Sequence, residues 1–214
     1  EWSALHVAGA LGFEDALRVM EARGRFMQEA CEERQGAMVS VIGLPPDKLK
    51  EVCAAAGVET ANLNSAEQTV LSGDRERIVE AEKLAKAGGA SRTVVLNVAG
   101  AFHSSLMSSA AKKLEAFLAG IPFSRPAIPV VANATGLPHG EPDEIRRTMV
   151  NQVTSPVQWL SSIEWFRKNG VSEYVECGPG KVLSGLIKRI DKGAAVGNIQ
   201  ACGTLKKTLE TIKS

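Results

Sequence analysis

Apolar and polar residues follow two different periods along this chain, and the place where they switch is its most informative stretch. Thr93-Val-Val-Leu96 and Val98 form a β-branched, apolar run of the kind that becomes a buried strand. Leu106, Met107, Ala110, Leu114, Phe117 and Leu118 then recur at helical spacing. Between the two lie Ala99-Gly-Ala101, small enough for the backbone to pass close to a neighbour, and then Phe102-His103.

The rest of the chain resolves into elements in the same way. Residues 1–10 predict a helix of small residues, entered in mid-pattern with no initiator Met, signal-peptide architecture or capping residue ahead of it. Its start is expected to lie upstream, which makes the sequence a fragment. Glu14 to Glu33 predicts a second helix, with Phe13, Ala16, Leu17, Met20, Gly24, Met27 and Cys31 on one apolar arc. From Gly36 the texture changes to strand 37–43, helix 48–56 behind an Asp47 cap, strands 59–64 and 69–72, helix 74–87 and strand 92–98. That β-α-β-β-α-β order is the pattern of a ferredoxin-like subdomain, here inserted in a larger fold. Beyond it come a Pro-rich crossing segment (121–129), a short strand and turn (130–136), and helices at 142–153 and from Ser155. A strand at 173–178, a helix at 182–190, a strand at 194–201 and a helix at 204–213 complete an α/β chain with an expected mostly parallel sheet.

Composition narrows the function classes. The 214 residues carry a net charge of +1, no long basic run and few aromatics, which argues against nucleic acid as a partner. No apolar run reaches the roughly 18–20 residues that span a bilayer, so no membrane partner is expected. Four cysteines without C-x-x-C spacing and three histidines without H-x-x-x-H spacing argue against a metal site and fit a reducing cytoplasm. His6 and His139 read as structural, the latter as a loop tip.

Two residues stand out chemically. His103 sits where a strand hands over to a helix, a place from which rigid neighbours can aim an imidazole into a cleft; a packed histidine is the equal alternative. Arg23 falls on the flank of the apolar arc of the second helix, beside Ala16, Met27 and Ala30. An inward guanidinium needs an anion. A structural ion pair with an internal acid and a clamp for a ligand carboxylate both satisfy that need.

Four segments together resemble a known family. They are Met20-Glu-Ala-Arg-Gly-Arg-Phe-Met-Gln-Glu-Ala30, Gly100-Ala-Phe-His-Ser104, Ser155-Pro-Val-Gln-Trp159 and Glu176-Cys-Gly-Pro-Gly-Lys-Val-Leu183. In this order and spacing they are similar to the malonyl-CoA:acyl carrier protein transacylases and the acyltransferase domains of polyketide synthases. The resemblance implies an α/β-hydrolase-like large subdomain (1–35 and 99–214) with a ferredoxin-like small one (36–98) inserted. It implies acyl transfer from malonyl-CoA to the phosphopantetheine thiol of acyl carrier protein through an acyl-serine, with CoA as substrate and no cofactor. It assigns His103 as general base and the Gln152 carbonyl as its orienter, and pairs Arg23 with the malonyl carboxylate. Phe102 becomes a steric filter against branched acyl groups, and Asn62, Asn64, Gln68 and Arg92 an edge that contacts CoA. The family's Gly-His-Ser-Leu-Gly elbow and its N-terminal Gln-containing loop do not occur in residues 1–214. The chain therefore reads as the C-terminal part of an active enzyme, inactive alone. A polyketide-type extender acyltransferase and a non-catalytic module binding CoA or carrier protein are the alternatives.

Overall fold

The computed structural model describes residues 1–212. The chain divides into two compact units, residues 1–159 and the remainder from Leu160.

In the first unit, helix α1 (Trp2–Val7) leads into the long helix α2 (Phe13–Glu33). The predicted arc of α2 is rotated in the structure. Ala16, Val19, Ala22, Met27, Ala30 and Cys31 are buried, whereas Phe13, Leu17 and Met20 are exposed. Helix packing turns the inner face toward Val19, Ala22 and Ala30, and Phe13, Leu17 and Met20 fall outside it. Arg23 stays at the edge of the buried face, half-buried.

Strands β1 (Gly36–Ile42), β2 (Glu59–Ser65), β3 (Gln68–Asp74) and β4 (Arg92–Val95) form an antiparallel sheet in the order β2-β3-β1-β4. Helices α3 (Pro46–Ala56) and α4 (Arg75–Ala87) connect them. This is the predicted ferredoxin-like topology. β1 is central and buried on both faces. Ala37, Val39 and Val41 face α3 and α4, and Met38, with Ala61 and Val70, faces the opposite way toward Leu96, Val98 and Phe102. α3 begins at Pro46 and ends on Gly57 in a left-handed turn, so Asp47 lies in the first turn rather than capping it.

β4 stops at Val95, three residues short of expectation. Leu96 N–H still bonds to the Met38 carbonyl, but Val98 N–H turns back to Leu96 and the chain leaves the ladder. The following stretch needs the small residues the sequence supplies. A Cβ on Gly100 would collide with Cys31 Sγ, and one on Gly36 with Ala101. The chain then passes through His103 and a short 3₁₀ turn (Ser105–Met107) into α5 (Ser108–Leu118).

After α6 (Pro142–Asn151), Ser155 does not open a helix; α7 (Trp159–Lys168) starts four residues later. Pro156 biases its predecessor toward extended backbone. Val157 then pairs with β2, its N–H bonding to Ala61 O and its carbonyl accepting from Leu63 N. Residues 130–136 form a turn around one antiparallel bridge, Val131 to Pro138, rather than a strand.

In the second unit, β5 (Glu173–Cys177) and β6 (Ala195–Ile199) pair in parallel across α8 (Val182–Ile190), and α9 (Cys202–Ile212) follows. The parallel sheet among the described residues has these two strands only. The larger sheet is antiparallel, because the split βαβ order makes its neighbours run opposite ways.

Replacing Gly100 by Ala is expected to lower the unfolding free energy by about 1–3 kcal/mol, the usual range for overpacking. Urea denaturation reads this, and a Cys31→Ala background is expected to recover part of the loss.

Candidate active site

His103 is the sole non-glycine with positive φ among the described residues, at 59°. That conformation costs a side-chain-bearing residue about 1–3 kcal/mol and persists only where its surroundings impose it. The impositions are visible on both sides. Ser104, fully buried, donates its hydroxyl to Ala101 O (2.7 Å) and accepts the Leu106 N–H (3.3 Å). Ser105 donates its N–H (3.0 Å) and its hydroxyl (2.5 Å) to the Glu59 carboxylate on β2. Both hydroxyls are committed to holding the loop.

The imidazole is fixed from the far side. His103 Nδ1 lies 2.9 Å from the backbone oxygen of Gln152, just past α6. A carbonyl only accepts, so Nδ1 carries the proton and the lone pair is on Nε2. Burial holds the imidazole below the ordinary histidine pKa, and the positive charge of Arg23 lowers it further. The backbone contacts to Gln152 and Ser155, and the Glu1 carboxylate, oppose this. The neutral ring is thus a proton acceptor near pH 7.

Arg23 reaches the same place from α2. Its Nη2 donates to Gln152 Oε1 (3.3 Å), while its Nε–H, buried, has no hydrogen-bond partner among the described residues. Burial lowers its pKa and nearby Glu1 raises it, and a guanidinium remains charged throughout. Among the described residues, no acid lies within ion-pair distance of it. Arg23, Met27, Met38, Asn62, Phe102 and His103 line one open cleft of about 480 Å³. The arrangement offers a proton acceptor and an anion receptor over an apolar floor, which suits a partly apolar ligand that carries a negative charge.

Residues 1–212 match the family described as the acyl transferase domain. The chain belongs to that family. It is 44% identical over 194 residues to the malonyl CoA-acyl carrier protein transacylase of Escherichia coli K12, covering 89% of this chain and 63% of that protein. The chain thus spans less than two thirds of that relative's length. A crystal structure of the corresponding Clostridium perfringens transacylase superposes with a TM-score of 0.95 at 37% identity, covering 100% of this chain and 68% of that one. A malonyl-transacylase solved in complex with its type II polyketide acyl-carrier protein gives 0.93 at 37%, covering 98% and 69%. The α/β acyltransferase fold follows from these likenesses.

Of the predicted site residues, Arg23, Asn62, Phe102 and His103 meet in the cleft, and Gln152 joins them through its carbonyl. Asn64, Gln68 and Arg92 sit on β2, β3 and β4 outside its walls. Gln68 Nε2 bonds to Ser40 Oγ, and Arg92 is exposed. His6 is structural, its Nδ1 against Leu11 O and its ring against Phe13. His139 is not a loop tip: its side chain is fully buried, with Nε2 2.7 Å from Glu1 Oε1. Glu1 and His139 are the site neighbours that sequence reasoning missed. Spacing gives no signal for a contact across 138 positions. No helix of the described residues is long and apolar enough to cross a membrane.

The folded state binds a proton at His103 less readily than the unfolded chain. The stability this contributes is present above about pH 6.5, the unperturbed histidine value, and is lost as the pH falls toward the lowered value. His103→Gln is expected to flatten that part of the acid fall in stability, and the His103 ring signal in wild-type NMR spectra is expected to titrate below its unfolded counterpart.

Proposed function

We propose that the whole protein moves a malonyl group from CoA to the phosphopantetheine thiol of acyl carrier protein in the cytoplasm, without a cofactor. The observation that carries this reading is the half-engaged guanidinium of Arg23, buried in the same cleft as a neutral, carbonyl-anchored imidazole. A carboxylate on the acyl chain supplies the anionic partner that the Arg23 guanidinium lacks among the described residues.

In the proposed reaction a serine hydroxyl attacks the thioester carbon while His103 Nε2 takes its proton. The tetrahedral intermediate collapses, and CoA leaves as the thiol with that proton. The carrier thiol then gives its proton to Nε2 and attacks the acyl-serine, and the serine recovers its hydroxyl. The Gln152 carbonyl holds the imidazole tautomer throughout, the part an aspartate plays in other hydrolase triads. Phe102, half-buried in the cleft wall, is proposed to exclude an α-methyl group by its bulk. Asn62, Asn64, Gln68 and Arg92 are proposed to lie along the CoA, with Arg92 toward a phosphate. The division into a small subdomain at 36–98 and a large one at 1–35 and 99–214 belongs to the same proposal.

Arg23→Ala is expected to cut kcat/KM for malonyl-CoA by about 10²-fold, the loss of a charge-assisted pair, and to leave acetyl-CoA far less affected. A panel of the two thioesters tests it, and an equal fall for both would overturn the assignment. Residues 1–214 incubated alone with labelled malonyl-CoA are expected to yield no covalent acyl adduct on mass spectrometry, since Ser104 and Ser105 are committed to backbone and Glu59 contacts.

A further inference from the structure

The malonyl reading uses Gln152 through its carbonyl alone, yet its side chain is buried and doubly engaged. Oε1 accepts from Arg23 Nη2, and Nε2 donates to Glu1 Oε2 at 2.9 Å. Glu1 is itself sealed from water, its side chain 2% exposed. Two more donors hold it: the Asn133 N–H at Oε2 (3.3 Å) and His139 Nε2 at Oε1 (2.7 Å). Three donors of this kind are what a buried carboxylate requires to remain in place.

The polarity of this chain of contacts is fixed by chemistry. An ionised carboxylate only accepts, so the Gln152 amide presents its NH₂ to Glu1 and its oxygen to Arg23. Reversed, the amide would set oxygen against oxygen at Glu1 and donor against donor at Arg23. We propose that Glu1, braced by His139, is a positioning residue for Arg23. It locks the Gln152 amide in the one orientation that holds Arg23 by Nη2, and so fixes the guanidinium that receives the acyl carboxylate. The inference rests on the reading that Arg23 receives that carboxylate. It adds that discrimination for a charged acyl group is set one step back, by a residue that never touches the substrate.

The test measures kcat and KM for malonyl-CoA and acetyl-CoA in the full-length protein carrying Glu1→Ala, Glu1→Gln, Arg23→Ala and the Glu1→Ala/Arg23→Ala pair. Glu1→Ala is expected to lower the malonyl-to-acetyl ratio about tenfold, chiefly through KM, the scale of one hydrogen bond to a charged group. Glu1→Gln, whose side-chain oxygen can still accept from Gln152, is expected to keep most of the ratio. In the Arg23→Ala background, Glu1→Ala is expected to change the ratio no further. Equal losses on both thioesters, or the same loss with and without Arg23, would overturn the inference and leave the malonyl reading standing. An unchanged ratio in Arg23→Ala itself would take both down. Should Glu1→Ala fail to fold, His139→Ala, which releases one oxygen of the carboxylate, is expected to move the ratio the same way by about threefold; an unmoved ratio there is equally fatal.

Discussion

The hydrogen bond from His103 Nδ1 to the Gln152 backbone oxygen is the contact on which the site depends. It joins two segments 49 residues apart and selects the tautomer that leaves Nε2 basic. A bond of this kind contributes only about 1 kcal/mol net to stability, less than the upper range of the strain in the left-handed backbone beneath it. The difference is made up by neighbours. Ser104 ties back to Ala101, Ser105 is gripped by Glu59, and the preceding glycine passes against Cys31 with no room to spare. The geometry of the imidazole is therefore a property of the whole loop, and the hydrogen bond reads it out.

The four-stranded sheet contributes to the cleft in two ways. Its central strand is sealed by α3 and α4 on one face, which frees the other face, with Met38, to become part of the cleft floor. Its β2 edge is occupied by Val157 and carries Glu59, the anchor of the turn after His103. A small antiparallel sheet thereby serves as wall and fastening for residues that come from outside it.

Much of this was legible in the sequence, for identifiable reasons. The β-α-β-β-α-β order announced itself because each element there obeys its own period, and Gly57 closes the first helix of the set. His103 and Arg23 were found by position, one at a strand-to-helix junction and one on the wrong side of a helix. The errors share a cause, which is that tertiary contacts override local pattern. Ser155-Pro-Val-Gln was read as a helix start but is drawn into an extended bridge with β2. The predicted apolar arc of α2 runs through Phe13, Leu17 and Met20, and packing buries the neighbouring face of Val19, Ala22 and Ala30 instead. Strand 92–98 was cut at Val95 by the turn back at Val98, where pairing partners end. Glu1 and His139 left no local trace, because a polar pair buried by long-range folding has no period to betray it.

The φ of 59° at position 103 carries an evolutionary corollary. Glycine and asparagine adopt that backbone at the least cost, so conformational energy by itself pulls the position toward them. An imidazole that persists there does so against that pull, so the position answers to what the ring does and not to what the backbone prefers. A lineage that stopped needing the chemistry would lose this ring early, and its replacement by glycine or asparagine in a descendant would be the mark of a retired enzyme.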